Sequence, residues 1–236
     1  MIRKLIILFL VYFPIISVAQ NIDYTRHIID NHFLYSSGSH MVARRCEPIM
    51  LEIVVRAYMT GSSSTSVWTK YNSGERNMYG LTFRDGYKKN EPLDEIVITP
   101  TTKGVTDVPI TRDEIISQGY LTQQQTDYVF RKARELFTYG AQVARERGLI
   151  LVDTKYEFGF WNDSIILMDE LHTCDSSRYW KADSYDRLVS EGSEPEKFDK
   201  DCIRDYVKKT YTSEEIKTRP TFEIPEEIVQ KVNDVY

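Results

Sequence analysis

Cysteine is scarce in this chain. Cys46, Cys174 and Cys202 are the only three in 236 residues, far apart and without a Cys-x-x-Cys pair. That argues against a disulfide framework and a structural zinc site, and it fits reduced thiols in a cytoplasmic protein. Histidine is scarce too, and His27, His32 and His40 lack the helical or paired spacing of a metal site. There is no excess of positive charge: 30 Lys and Arg against 35 Asp and Glu leave a formal net charge of -5. Nothing draws nucleic acid or an anionic membrane to the surface as a whole, although a few local cations can still hold a small anion. No glycine-rich phosphate loop occurs upstream of residue 60.

What is present is ordinary for a folded soluble chain, 42% hydrophobic and 28% charged, and long enough for one large domain or two small ones. The first residues stand apart. Arg3 and Lys4 precede an apolar run over residues 5 to 16, closed by the small residues Ser17, Val18 and Ala19. This has the form of an export signal, or of an interior element following a misassigned start; it is short for a membrane span.

Residues 148 to 159 form the stretch on which the rest converges. Leu149 to Val152 are apolar, and alternation then places Asp153, Lys155 and Glu157 on one side of a strand that begins inside a core. Charged groups there must be paired, bind a cation or meet a polar ligand. Residues 49 to 58 read as a second strand with Glu52, Val54, Arg56 and Tyr58 on one face, running into the hydroxyl-rich loop 60 to 66. Arg56 beside that loop can hold phosphate through its planar fork, or be an exposed arginine by a flexible loop. Trp68, Tyr71 and Tyr79 read as packing residues, and the glycines between 71 and 90 as short strands and turns.

Residues 96 to 98 read as a short strand leading into Thr99-Pro100-Thr101-Thr102-Lys103-Gly104, with Asp107 close behind. Lys103 can reach a nucleotide phosphate, or be a solvated turn lysine. Thr111 with Glu114, and Thr122 with Gln125, are capping boxes opening two helices. The second helix carries Val129, Ala133, Phe137, Ala141 and Ala144 along one face and ends at Gly148, a left-handed C-terminal position. Residues 161 to 164 read as a turn into an antiparallel partner strand over 165 to 171. Either Asp169 or Glu170 then joins the charged face, giving a pair of carboxylates suited to magnesium or a lattice of salt bridges with Lys155. Residues 185 to 195 read as a polar loop, 198 to 207 as a helix, and Pro225 as the opening of a last helix.

Four runs occur in order: Leu-Glu-Ile-Val-Val-Arg-Ala-Tyr-Met-Thr-Gly-Ser, Thr-Pro-Thr-Thr-Lys, Gly-Leu-Ile-Leu-Val-Asp-Thr-Lys-Tyr-Glu-Phe-Gly and Asp-Glu-Leu-His-Thr-Cys-Asp-Ser-Ser-Arg-Tyr-Trp. Together they resemble the SAICAR synthetase family over residues 25 to 210. The resemblance implies an α+β fold with an antiparallel-rich sheet flanked by helices. It also implies a ligase of purine biosynthesis joining carboxyaminoimidazole ribonucleotide to L-aspartate, with ATP converted to ADP and phosphate. By the same resemblance Arg56, Ser62 and Arg178 hold the ribonucleotide, and Asp175 contacts it. Lys103 and Asp107 belong to the ATP site, Glu157 and Asp169 to a Mg2+ site, and Lys155 lies between the two ligands.

Some positions depart from the family pattern. Ala57 replaces a glycine, Cys174 replaces a proline, and the histidine before Asp107 is missing. No stretch matches the small N-terminal lobe whose glycine- and lysine-containing loop covers the ATP phosphates. The expectation is therefore a leader over residues 1 to 24 and a ligase domain over 25 to 236 with its N-terminal lobe truncated. It is expected to be cytoplasmic, or exported if the leader is a signal, without nucleic-acid or stable membrane partners and open to homo-oligomerisation. The alternative function is a non-catalytic homologue that binds the ribonucleotide without turning over ATP.

Overall fold

In the computed structural model the chain is described over residues 22, 24–37, 40–63, 66–104, 106–199, 201–218 and 221–233. The signal-like run, and most of the leader expected over residues 1 to 24, lies outside these, as do two residues of the hydroxyl-rich loop. In chain order the elements are β1 Phe33–Ser37, β2 His40–Ala43, β3 Glu47–Pro48, β4 Leu51–Tyr58, α1 Val67–Asn72, β5 Asn77–Met78, β6 Leu81–Thr82, β7 Pro92–Ile98, β8 Thr101–Thr102 and β9 Val108–Pro109. There follow α2 Arg112–Ser117, α3 Gln123–Glu146, β10 Leu149–Trp161, β11 Ser164–Met168, β12 Ser177–Lys181, α4 Ala182–Ser190, α5 Asp201–Thr210, α6 Ser213–Thr218 and α7 Glu226–Asn233.

β10 is the hub of an eight-stranded antiparallel sheet that runs β11-β10-β4-β8-β9, with β12 and β3 also on β10 and β7 on β4. On one edge β10 pairs first with β12 and then with β11; on the other it pairs with β4 and then β3. Alternation divides the two central strands cleanly. Leu51, Ile53 and Val55 of β4 join Leu151, Tyr156 and Phe158 of β10 in one buried cluster with Val129, Ala133, Leu136 and Phe137 of α3. The interleaved residues Glu52, Arg56, Asp153, Lys155 and Glu157 therefore lie on the face that α3 does not cover.

Both expected capping boxes are present: Thr111 with Glu114 starts α2, and Thr122 with Gln125 starts α3. Gly148 closes the α3 end at φ +75°, the left-handed region that glycine enters without a Cβ clash. Asn162 and Asp163 are both left-handed, at φ 48° and 61°, so the β10–β11 link is a tight two-residue turn.

The partner strand is shorter than its sequence suggests. β11 stops at Met168 because Asp169 turns to φ +66° and leaves the pleat. Residues 182 to 190, of which 185 to 190 read as loop from the sequence, form helix α4, since Tyr185 and Val189, four apart, pack beside Trp180. Trp68, Tyr71 and Tyr79 do pack, around Met59 and Phe83 beside α1. Among the described residues no helix is long and apolar enough to cross a membrane.

Phe137 is 1% exposed, so Phe137→Ala is expected to destabilise the chain by about 4 kcal/mol through lost transfer energy and a residual cavity. Thr122→Ala, which removes only a cap, is expected to cost about 1 kcal/mol. Urea unfolding measures both, and equal losses would contradict the assignment of α3 as the main cover of the sheet.

Candidate active site

The site is built on the uncovered face of β4 and β10, at the points where their register brings unlike charges together. Asp153 stands opposite Arg56 on one side and Arg178 on the other. Its carboxylate accepts 2.7 Å from Nη1 of Arg56, and 2.9 and 2.8 Å from Nε and Nη2 of Arg178. Arg56 is also fixed by Nε donating 2.9 Å to the Thr99 hydroxyl. Burial lowers the pKa of this guanidinium, and the Asp153 charge opposes that effect. The clasp is nearly dry, with Arg56 and Asp153 side chains 12% and 8% exposed, so each charge depends on the other for its stability.

Two residues further along β10 the pattern repeats with lysines. Nζ of Lys155 donates 2.8 Å to Glu52 and 3.5 Å to Glu157, and Nζ of Lys103 donates to the other oxygen of Glu157. Burial lowers the Lys155 pKa, but the hydrogen bond and charge of Glu52, with the charges of Glu157 and Asp169, overcome it and raise the pKa above the ordinary lysine value. Lys155 is a firm cation. Lys103 reaches Glu157 from just after β8, which pairs antiparallel with β9. Asp107 is exposed just before β9, and Ser62 is exposed on the loop that leaves β4.

Residues 169 to 176 leave β11 opposite Glu157 and return as β12 opposite Thr154, so they project from the sheet edge beside Lys155. The backbone N–H of Lys155 donates 3.2 Å to the Ser176 carbonyl and fixes the return. Asp169 is exposed and acts on Lys155 through its charge, while Glu170 accepts from the Thr173 hydroxyl within the loop. Burial pushes the Glu170 carboxyl up to about 7; the Thr173 bond opposes this, and the charges of Asp175 and Asp169 reinforce it.

The structure thus gathers Arg56, Arg178, Lys103, Lys155 and Glu157 around two ion-pair centres, with Asp169 and Asp175 on the adjoining loop. Ser62 and Asp107 stay at the periphery. The sequence places Glu52 on the face of Arg56 without giving it a role, and nothing local marks Thr99. Among the described residues no group of three or more His, Cys, Asp or Glu is placed to hold a metal ion by itself.

The family model described as SAICAR synthetase matches residues 17–220. The chain belongs to the SAICAR synthetase family. A Mesorhizobium japonicum protein provisionally named phosphoribosylaminoimidazole-succinocarboxamide synthase 2 is 48% identical over 90% of this chain and 68% of its own length. The chloroplastic phosphoribosylaminoimidazole-succinocarboxamide synthase of Vigna aconitifolia is 49% identical over 76% of this chain, which spans 54% of that relative. In fold, the chain is similar to the SAICAR synthase of Saccharomyces cerevisiae in complex with SAICAR, with a TM-score of 0.73, 24% identity, and coverage of 93% of this chain and 76% of that one. The family is one of α+β ligases of purine biosynthesis, as the four ordered motifs imply.

Asp153→Asn leaves two guanidinium groups sharing a neutral partner, and is expected to lower stability by about 3 kcal/mol in urea unfolding; a loss below about 1 kcal/mol would show that the clasp is solvated. Glu170 generates a pH dependence of definite sign. Its folded pKa lies above the ordinary value of 4.5, so the folded state holds the proton more tightly and stability falls as pH rises from 4.5 to about 7. Glu170→Gln is expected to flatten that slope, measured as Tm against pH; an unchanged slope would contradict the assignment.

Proposed function

We propose that the site makes an amide from a ribonucleotide carboxylate and the amine of L-aspartate at the expense of ATP, as SAICAR synthetase does, with residues 25 to 236 as the ligase domain. The observation that carries this reading is the double ion-pair row, Arg178–Asp153–Arg56 beside Lys155–Glu157–Lys103, on the uncovered face of a chain belonging to that family. A carboxylate is a poor acyl donor, so the reaction first needs a better leaving group. The ribonucleotide carboxylate attacks the terminal phosphorus of ATP, forming an acyl phosphate and releasing ADP. The aspartate amine then attacks the acyl carbon, the C–O bond to phosphate breaks, and phosphate leaves as the amine loses a proton.

Such transfers depend on positioning and charge stabilisation more than on a protein nucleophile. Arg56 and Arg178, held rigid by Asp153, bind the ribonucleotide and its phosphate with Ser62, and Asp175 contacts the same substrate from the adjoining loop. Lys155, a cation at every working pH, sits between ribonucleotide and ATP and stabilises charge on the transferring group. Lys103 and Asp107 bind ATP. Glu157 and Asp169 hold Mg2+, which when bound neutralises charge on the phosphates. We place the working protein in the cytoplasm, in keeping with its few, widely spaced cysteines, with a homo-oligomer as an open assembly.

Purified chain given carboxyaminoimidazole ribonucleotide, L-aspartate and Mg-ATP is expected to release ADP in step with amide product. Lys155→Ala is expected to reduce kcat by a hundredfold or more, a transition-state loss of about 3 kcal/mol. Absence of ADP from the intact chain would overturn the reading. Ribonucleotide binding by calorimetry without ATP binding would favour the non-catalytic alternative instead.

A further inference from the structure

The loop over residues 169 to 176 carries Asp175 and leads into Arg178, yet its own shape is not one the backbone prefers. Asp169 and His172 are left-handed, at φ 66° and 54°, and a residue with a Cβ holds that conformation only when its surroundings impose it. For His172 the surroundings are specific. Its Nε2 is 2.7 Å from the Tyr156 hydroxyl, on the α3 side of β10, and its carbonyl accepts 2.8 Å from the Tyr179 hydroxyl of β12. Desolvation pushes the imidazole down to about 4, so the ring is neutral at ordinary pH, and burial holds Tyr156 as a phenol. A hydrogen bond between a neutral imidazole and a phenol has no charge to switch, whichever group donates.

The third wall is Gly140. It lies inside the 24-residue helix α3, where glycine is a poor helix former, and it is not left-handed. Space explains it. A Cβ at residue 140 would fall 2.3 Å from Cε1 and 2.6 Å from Nε2 of His172, so any other residue drives the ring away from Tyr156. The core helix and the hub strand thus meet at the His172 ring, and β12 at its backbone carbonyl.

The geometry points to His172, seated on Gly140 and bonded to Tyr156, as a positioning residue that fixes the 169 to 176 loop and through it the ribonucleotide contacts of Asp175 and Arg178. The substrate half of this statement rests on the function proposed above; the conformational half does not. His172 touches no reacting group. It ties to the α3 core a left-handed turn of a loop whose other anchors are the buried Leu171 and Cys174, the hydrogen bonds around Thr173 and the return to β10.

The test uses the full chain with two substitutions away from the binding residues. Gly140→Ala displaces the ring, and Tyr156→Phe keeps the packing while removing the hydroxyl, so the second variant carries the test if the first does not fold. Amide hydrogen exchange in the segment 169–177 is expected to be at least tenfold faster in each folded variant than in the unmodified chain. The KM for ribonucleotide is expected to rise at least fivefold, with the KM for ATP within twofold. Unchanged exchange would overturn the proposal, as would faster exchange with an unmoved ribonucleotide KM, the result of a merely structural contact. If the unmodified chain turns over nothing, the functional reading fails on that arm, and exchange alone decides whether His172 fixes the loop.

Discussion

Thirteen residues of β10 must satisfy two opposite surroundings at once, a dry one against α3 and a charged one on the other side, and the Arg56–Asp153–Arg178 clasp is where that demand is met. Asp153 is too deeply buried to be left alone, and pairing on both flanks supplies the counter-charge. The same pairing defines register. A slip of one residue in β4 or β12 would turn its arginine toward the apolar α3 side and leave Asp153 without that partner. The hydrophobic pattern and the ion pairs therefore specify one alignment together.

That alignment explains why the chemistry-bearing loop is where it is. β12 and β11 occupy the same edge of β10 in succession, and the hydrogen-bonded pairing runs out between Thr154 and Glu157. Eight residues must leave and re-enter across that gap, so they stand out from the sheet next to Lys155. Asp169, Glu170 and Asp175 share that short projecting loop, and burial, reinforced by the charges of Asp175 and Asp169, raises the proton affinity of Glu170.

Much of this was legible in the sequence wherever a single local rule decides the outcome. The capping boxes at Thr111 and Thr122, the left-handed Gly148, the apolar stripe of α3 and the alternation after Val152 follow from short patterns with one physical cause each. The choice between Asp169 and Glu170 was not legible, because it depends on backbone that leaves the strand at Asp169 rather than on strand register alone. Helix α4 was hidden because the surface that receives Tyr185 and Val189, Trp180 with Tyr58, is assembled by tertiary contact. Gly140 and His172 are unremarkable in their own segments. Their meaning exists only where α3 and the loop cross.

The ion pairs also determine what the site meets first from solvent. Glu157 is 4% exposed, whereas Lys155 and Lys103 are 34% and 32% exposed above it. A phosphate approaching this face encounters ammonium groups, with the carboxylates beneath them acting as their counter-charge. Neutralising the buried carboxylates for folding and presenting cations to an anionic ligand are then one arrangement. Loss of either lysine should disturb both, and for that reason the stability and the chemistry of this face cannot be separated by removing charges one at a time.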